Sequence, residues 1–90
     1  MKFEYDAAKS RDNFTKHGID FETAKRLWKG SYVEFSALSE YENRFAILGK
    51  IEGKLYTCIF TLRGANIRII SCRRARDKES KLYEKNFKEA

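Results

Sequence analysis

From residue 32 onward the hydrophobic period changes from helical to two, and this constrains the fold more than any other feature. Val33, Phe35 and Ala37 alternate with Tyr32, Glu34 and Ser36. Arg44–Ile51 reads as a second strand, and Glu52-Gly53-Lys54 has the composition of a tight hairpin turn. Leu55–Leu62 is almost continuously apolar or β-branched, as a central strand covered on both faces would be. Gly64-Ala65-Asn66 predicts another turn, and Ile67–Arg74 a fourth strand. Strands joined this closely pair antiparallel, because a parallel pair needs a long crossover.

Helical signals flank this meander. Residues 2–5 alternate as a short first strand. Asp6 offers an N-cap for a helix over Ala7–Lys16, and Gly18 fits the left-handed residue that ends it. Asp20 repeats the cap signal ahead of Phe21, Ala24, Leu27 and Trp28, which form one apolar helical face closed by Gly30. Asp77 is expected to cap a last helix with Leu82, Tyr83, Asn86 and Phe87 on one stripe. The expected class is α+β: a small antiparallel sheet built from a short N-terminal strand, two helices, a four-strand meander and a C-terminal helix, in one domain over residues 1–90.

Composition matters mainly through the distribution of charge. The chain carries a formal +6, with 42% hydrophobic and 14% aromatic residues, which excludes a disordered basic tail. Residues 44–76 hold eight Lys and Arg but only Glu52, a net of +7, whereas the flanking segments are near neutral. An excess concentrated in one segment points to an anionic partner. No apolar run is long enough to span a bilayer and the N-terminus lacks a leader-like apolar stretch, so a cytoplasmic protein with no membrane partner is expected.

Five arginines frame the predicted strands: Arg44, Arg63, Arg68, Arg73 and Arg74. Strict alternation along the last strand puts Arg68 and Arg74 on one face with Ile70 and Cys72, and Arg73 on the other with Ile67, Ile69 and Ser71. Arg44 is expected to approach the cluster at the end of that strand. A guanidinium offers a rigid fork of donors that matches phosphate oxygens and can offset charge on a transition-state phosphorane. The same arginines would also serve as charges guarding a solvated sheet edge.

Other chemistry is sparse. His17, the single histidine, suits acid–base work or a helix C-terminus. Glu40, Tyr41, Glu42 and Tyr83 are further proton-transfer candidates with nothing to rank them. Cys58 and Cys72 are expected as buried free thiols, and no ligand spacing supports a metal site or a cofactor.

The ordered set FEYDAAKSRDNFTKHGIDFETA (residues 3–24), KHG, RFAILG, FTLRG and RIISCRRA resembles the BrnT-type toxins of type II toxin–antitoxin systems. The resemblance implies a RelE-like ribonuclease fold and metal-independent RNA cleavage that arrests translation. It implies a BrnA-type ribbon–helix–helix antitoxin in a complex with two copies of each protein, which reaches operator DNA only through the antitoxin. It carries Arg44, Arg63, Arg73 and Arg74 over as RNA-contacting or catalytic positions, with Lys16 and His17 in the KHG motif. The expected chemistry is attack of a 2′-hydroxyl on the adjacent phosphate. Arg63, Arg73 and Arg74 would offset charge, His17, Lys16 or Glu40 would move protons, and Arg44, Arg68 and Lys16 would bind RNA. A non-catalytic nucleic-acid-binding module, or a protein docking on an acidic partner, would present the same basic surface.

Overall fold

The two-residue period from residue 32 becomes four strands: β2 (Tyr32–Ala37), β3 (Arg44–Ile51), β4 (Lys54–Arg63) and β5 (Asn66–Arg74). They follow β1 (Lys2–Glu4), α1 (Ala7–His17) and α2 (Phe21–Ala24), which continues as a 3₁₀ segment over Lys25–Lys29; α3 (Asp77–Phe87) comes last. These elements come from a computed structural model that describes residues 2–37 and 43–87. The sheet order is β1-β5-β4-β3-β2. The class is α+β, and β2 to β5 form the expected antiparallel meander. The first strand adds to it in parallel, Phe3 beside Ile67, which makes the sheet mixed.

The turns set the register. Glu52 and Gly53 both have positive φ, 51° and 78°, as a two-residue type I′ connection between Ile51 and Lys54 requires. At the β4–β5 turn only Gly64 is left-handed, the pattern of a type II′ connection. Both N-caps form as expected: Asp6 accepts from the Lys9 N–H at 3.0 Å and Asp20 from the Thr23 N–H at 2.8 Å. Gly18, at φ 75°, ends α1.

Two helical expectations change. The second helix turns 3₁₀ after four residues. Its buried residues Phe21, Ala24 and Leu27 recur every third position, and side chains at that spacing eclipse in a 3₁₀ turn. Asp77 does not cap α3. The Arg76 carbonyl accepts the first helical bond from Ser80, and Glu79 reaches back to the Arg76 N–H at 2.8 Å, one arm of a capping box.

The core lies between one sheet face and the N-terminal helices. Ile19, Phe21, Ala24 and Leu27 pack on Ile47, Ile51, Cys58, Phe60, Ile67, Ile69 and Cys72. Each large apolar chain buried there is worth about 1.5–3 kcal/mol. The opposite face is the one on which α3 packs, over β2 and β3.

A bulge in β5 alters which face each arginine occupies. Ile59 pairs with Ser71 but Phe60 with Ile69, so Ile70 is an inserted residue. Beyond it the alternation shifts by one. Cys72 and Arg74 fall on the core face with Ile67 and Ile69, opposite Cys58 and Tyr56. Arg73 joins Arg68 on the other face, opposite Thr57 and Thr61 respectively. The expected grouping of Arg68 with Arg74, and of Arg73 against them, is therefore reversed.

Beyond Glu4 the edge of β5 has no strand partner among the described residues, and a side chain closes it. The buried Asn13 carboxamide accepts from the Cys72 N–H at 3.2 Å and donates to the Cys72 carbonyl at 2.8 Å. Its second N–H donates to the Ile19 carbonyl at 2.7 Å. Asn13 thus supplies the bonds a neighbouring strand would have made and ties α1 to the sheet.

Candidate nucleic-acid interface

The register brings three arginines to one end of the non-core sheet face. Arg68 pairs with Thr61 on one side and Glu4 on the other. Arg44 precedes Phe45, the partner of Phe60, and so stands level with Thr61. Arg44, Thr61, Arg68 and Glu4 therefore form one row across four strands, with strands spaced about 4.8 Å apart. Arg63 lies one step further, paired with Asn66 at the β4–β5 turn. Three of these groups converge on the Glu4 carboxylate: Arg68 at 3.5 Å, Asn66 at 3.4 Å and Arg63 at 3.9 Å. The contacts are long and the Arg63 side chain is 60% exposed, so both guanidiniums keep donors for an incoming anion.

Arg73 and Arg74 stand at the other end of β5, about 15 Å from Arg68 at the usual strand rise. Arg44 lies at the Arg63–Arg68 end, so it does not approach them as expected. The Arg74 guanidinium lies over the Tyr56 ring, 5.7 Å from its centroid. Both arms of the Arg73 fork are taken by Glu79, at 2.7 Å and 2.9 Å. This pair anchors the start of α3, a helix with no fully buried residue of its own. Lys50 adds a cation–π contact to Tyr83 of the same helix, at 5.5 Å.

The Arg73 hydrogen bonds hold the Glu79 carboxyl down at about 2, against the desolvation that would raise it, and the Arg76 N–H lowers it further. Its folded value lies below the unfolded value of 4.5, so its stabilising contribution is complete above about pH 4.5. That contribution fades as the pH falls towards 2. The protection of α3 amides relative to the unfolded chain at the same pH is expected to fall across this window, and Glu79→Gln to abolish that acid step.

Lys16 and His17 end α1, both exposed. With Lys9, Asp12, Ile70 and Ser71 they line a groove of about 360 Å³ beside the bulge, between the two arginine ends along β5. Cys58 and Cys72 are cross-strand partners with no exposed surface, free thiols as expected. The neighbouring Cys72 thiol, together with burial, pushes the Cys58 pKa well up, which suits packing rather than nucleophilic chemistry. Among the described residues no three His, Cys, Asp or Glu side chains group as metal ligands. Glu40, Tyr41 and Glu42 lie outside the described residues. Tyr83 packs on Phe87 in α3, with ring centroids 4.6 Å apart.

Sequence reasoning missed Glu4, Asn66, Asn13 and Glu79. For the first three no local signal exists, since each acts on a partner set by the parallel strand, the turn register or the edge of β5. Glu79 became a capping-box glutamate only once the helix was seen to start from Arg76 and not from the expected cap Asp77.

The forked cations Arg44, Arg63 and Arg68 stand on three neighbouring strands at one end of the sheet, a donor geometry that matches phosphate oxygens. No helix among the described residues is long and apolar enough to cross a membrane. No curated protein matches the sequence. The sequence model of one family, described as the ribonuclease toxin BrnT of type II toxin–antitoxin systems, matches residues 5–79. That span takes in α1, the whole meander, every arginine of the interface and the Glu79 anchor, and the chain belongs to this family of ribonuclease toxins.

Proposed function

We propose that this toxin is a metal-independent endoribonuclease whose reaction centre is the Arg63–Arg68–Glu4 end of the sheet. The observation that carries the reading is the convergence of Arg63, Arg68 and Asn66 on Glu4, level with Arg44. RNA brings its own nucleophile, so the protein has only to align it and offset charge. The 2′-hydroxyl attacks the adjacent phosphate and its proton passes to Glu4, while the bond to the 5′-oxygen breaks and that oxygen takes a proton from solvent water. The products are a 2′,3′-cyclic phosphate and a 5′-hydroxyl. Arg63 and Arg68 hold the non-bridging oxygens as charge builds. Arg44, Lys16, His17 and Arg74 hold flanking RNA, and Arg73 positions α3.

Type II membership implies a protein antitoxin and an RNA substrate. In this reading the antitoxin is a BrnA-type ribbon–helix–helix protein in a complex with two copies of each chain. It brings the complex to operator DNA, and the free toxin arrests translation in the cytoplasm. The test is incubation of RNA with the purified chain in EDTA. New 5′-hydroxyl and cyclic-phosphate ends are expected. Retained RNA with no new ends would identify a binding module instead. Cleavage only after a divalent ion is restored would remove the metal-independent step.

A further inference from the structure

The 3₁₀ segment builds a second constellation away from the arginine row. Three residues per turn give this segment three edges. Ala24 and Leu27 occupy the buried one. Lys25 and Trp28 share the next edge, and Arg26 and Lys29 the third. An indole is thereby placed beside three cations. The charge is easily overlooked, because residues 1–43 sum to slightly negative.

Phe3, Trp28 and Tyr32 line a cavity of about 450 Å³ bordered by Lys25, Arg26 and Lys29. The aromatic wall is held in place from behind: Trp28 meets Phe3 and Phe60 edge-on, with centroids 5.0 Å and 5.2 Å apart. Lys25 is pinned by Glu22 at 2.9 Å and lies over the Phe3 ring at 5.9 Å, so its stem forms part of the wall. Lys29 has no ion-pair partner among the described residues, and Arg26 has only the exposed Glu52, at 3.5 Å. Glu22 also lines the cavity and accepts the Tyr5 hydroxyl at 2.8 Å. Fixed aromatic walls beside uncommitted cations suit one ligand chemistry: an unstacked base with its phosphate.

We propose that this cavity is a nucleotide subsite for single-stranded RNA, with a base received among Phe3, Trp28 and Tyr32 and its phosphate on Arg26 and Lys29. The subsite rests on the ribonuclease reading for its substrate and extends it by selecting where along the strand the enzyme grips. Glu22, an acceptor in the wall, favours bases that present an amino group to it.

Trp28 is the single tryptophan and lines the cavity, so indole fluorescence reads out the proposed wall without a second indole signal. The probe is a 2′-O-methyl hexanucleotide of mixed sequence, which cannot supply the nucleophile and therefore separates binding from cleavage. Saturable quenching is expected with this probe, and none with inorganic phosphate. Arg26→Ala/Lys29→Ala and Tyr32→Ala, all at exposed positions, are each expected to weaken the quenching titration by about tenfold. Binding of the labelled hexanucleotide by anisotropy without quenching would overturn the subsite, as would titrations unaltered in both variants. Quenching by an acidic peptide and not by RNA would also overturn it and assign the cavity to a protein partner. If the wild-type chain quenches with RNA yet cleaves none, the subsite stands and the ribonuclease reading falls.

Discussion

Arg68→Ala is expected to slow RNA cleavage by about 10²–10³ while the protein stays folded. The rate effect follows from position. Arg68 stands between Thr61 and Glu4 in the row that also holds Arg44, and its donors are only partly used by the Glu4 contact at 3.5 Å. A phosphorane bound there would meet a charged fork already in place, and alanine would remove it. The stability effect is small because the ion pair is long and its partners are about one-third exposed, a class of pair usually worth under about 1 kcal/mol. Arg63→Ala is expected to behave similarly, with an even smaller stability change. Arg68→Lys keeps the charge but not the planar fork, and recovery of only part of the rate is expected. Single-turnover cleavage measured beside a thermal melt checks both halves. A variant that melts like wild type and cleaves like wild type would remove Arg68 from the site.

Asn13→Leu is expected to be among the most damaging single changes to the fold. It deletes three hydrogen bonds at once and leaves the Cys72 N–H, the Cys72 carbonyl and the Ile19 carbonyl without their partner. A buried polar group left unsatisfied costs about 1–3 kcal/mol, and partial rescue by water limits the sum to roughly 2–5 kcal/mol. A domain of this size has about 5–15 kcal/mol in total. The melting temperature should fall by more than about 10 °C. Asn13→Asp keeps the acceptor for the Cys72 N–H but turns a carboxylate towards two carbonyls, so it should also be destabilised. Melts within a few degrees of wild type for both variants would show that the edge of β5 does not need this clamp.

What the sequence made legible was local. Two positive-φ turns, two acidic N-caps and a left-handed Gly18 are each set by neighbouring residues, and they stand where the pattern placed them. The faces of β5 were not legible, because the adjacent Ile69 and Ile70 satisfy either phase of a two-residue alternation. The inserted residue at Ile70 moves Arg73 and Arg74 across the sheet, and no side chain announces it. Partnership was equally hidden. The segment charge marked the arginines, but only the register shows that Arg44, Arg63 and Arg68 share one end while Arg73 is occupied by Glu79. Glu4 enters the site solely through the parallel pairing of β1, which joins residues more than sixty positions apart.

We assign catalysis to the Arg63–Arg68 end of the sheet and not to the Arg73–Arg74 end. The most direct test of that assignment is the cleavage rate of Arg63→Ala/Arg68→Ala beside that of Arg73→Ala/Arg74→Ala. Both are measured in EDTA at saturating RNA and corrected for the folded fraction. The first double variant is expected to lose at least about 10²-fold and the second less than about tenfold. The opposite order, with the Arg73→Ala/Arg74→Ala protein inactive and the other cleaving normally, would contradict the account.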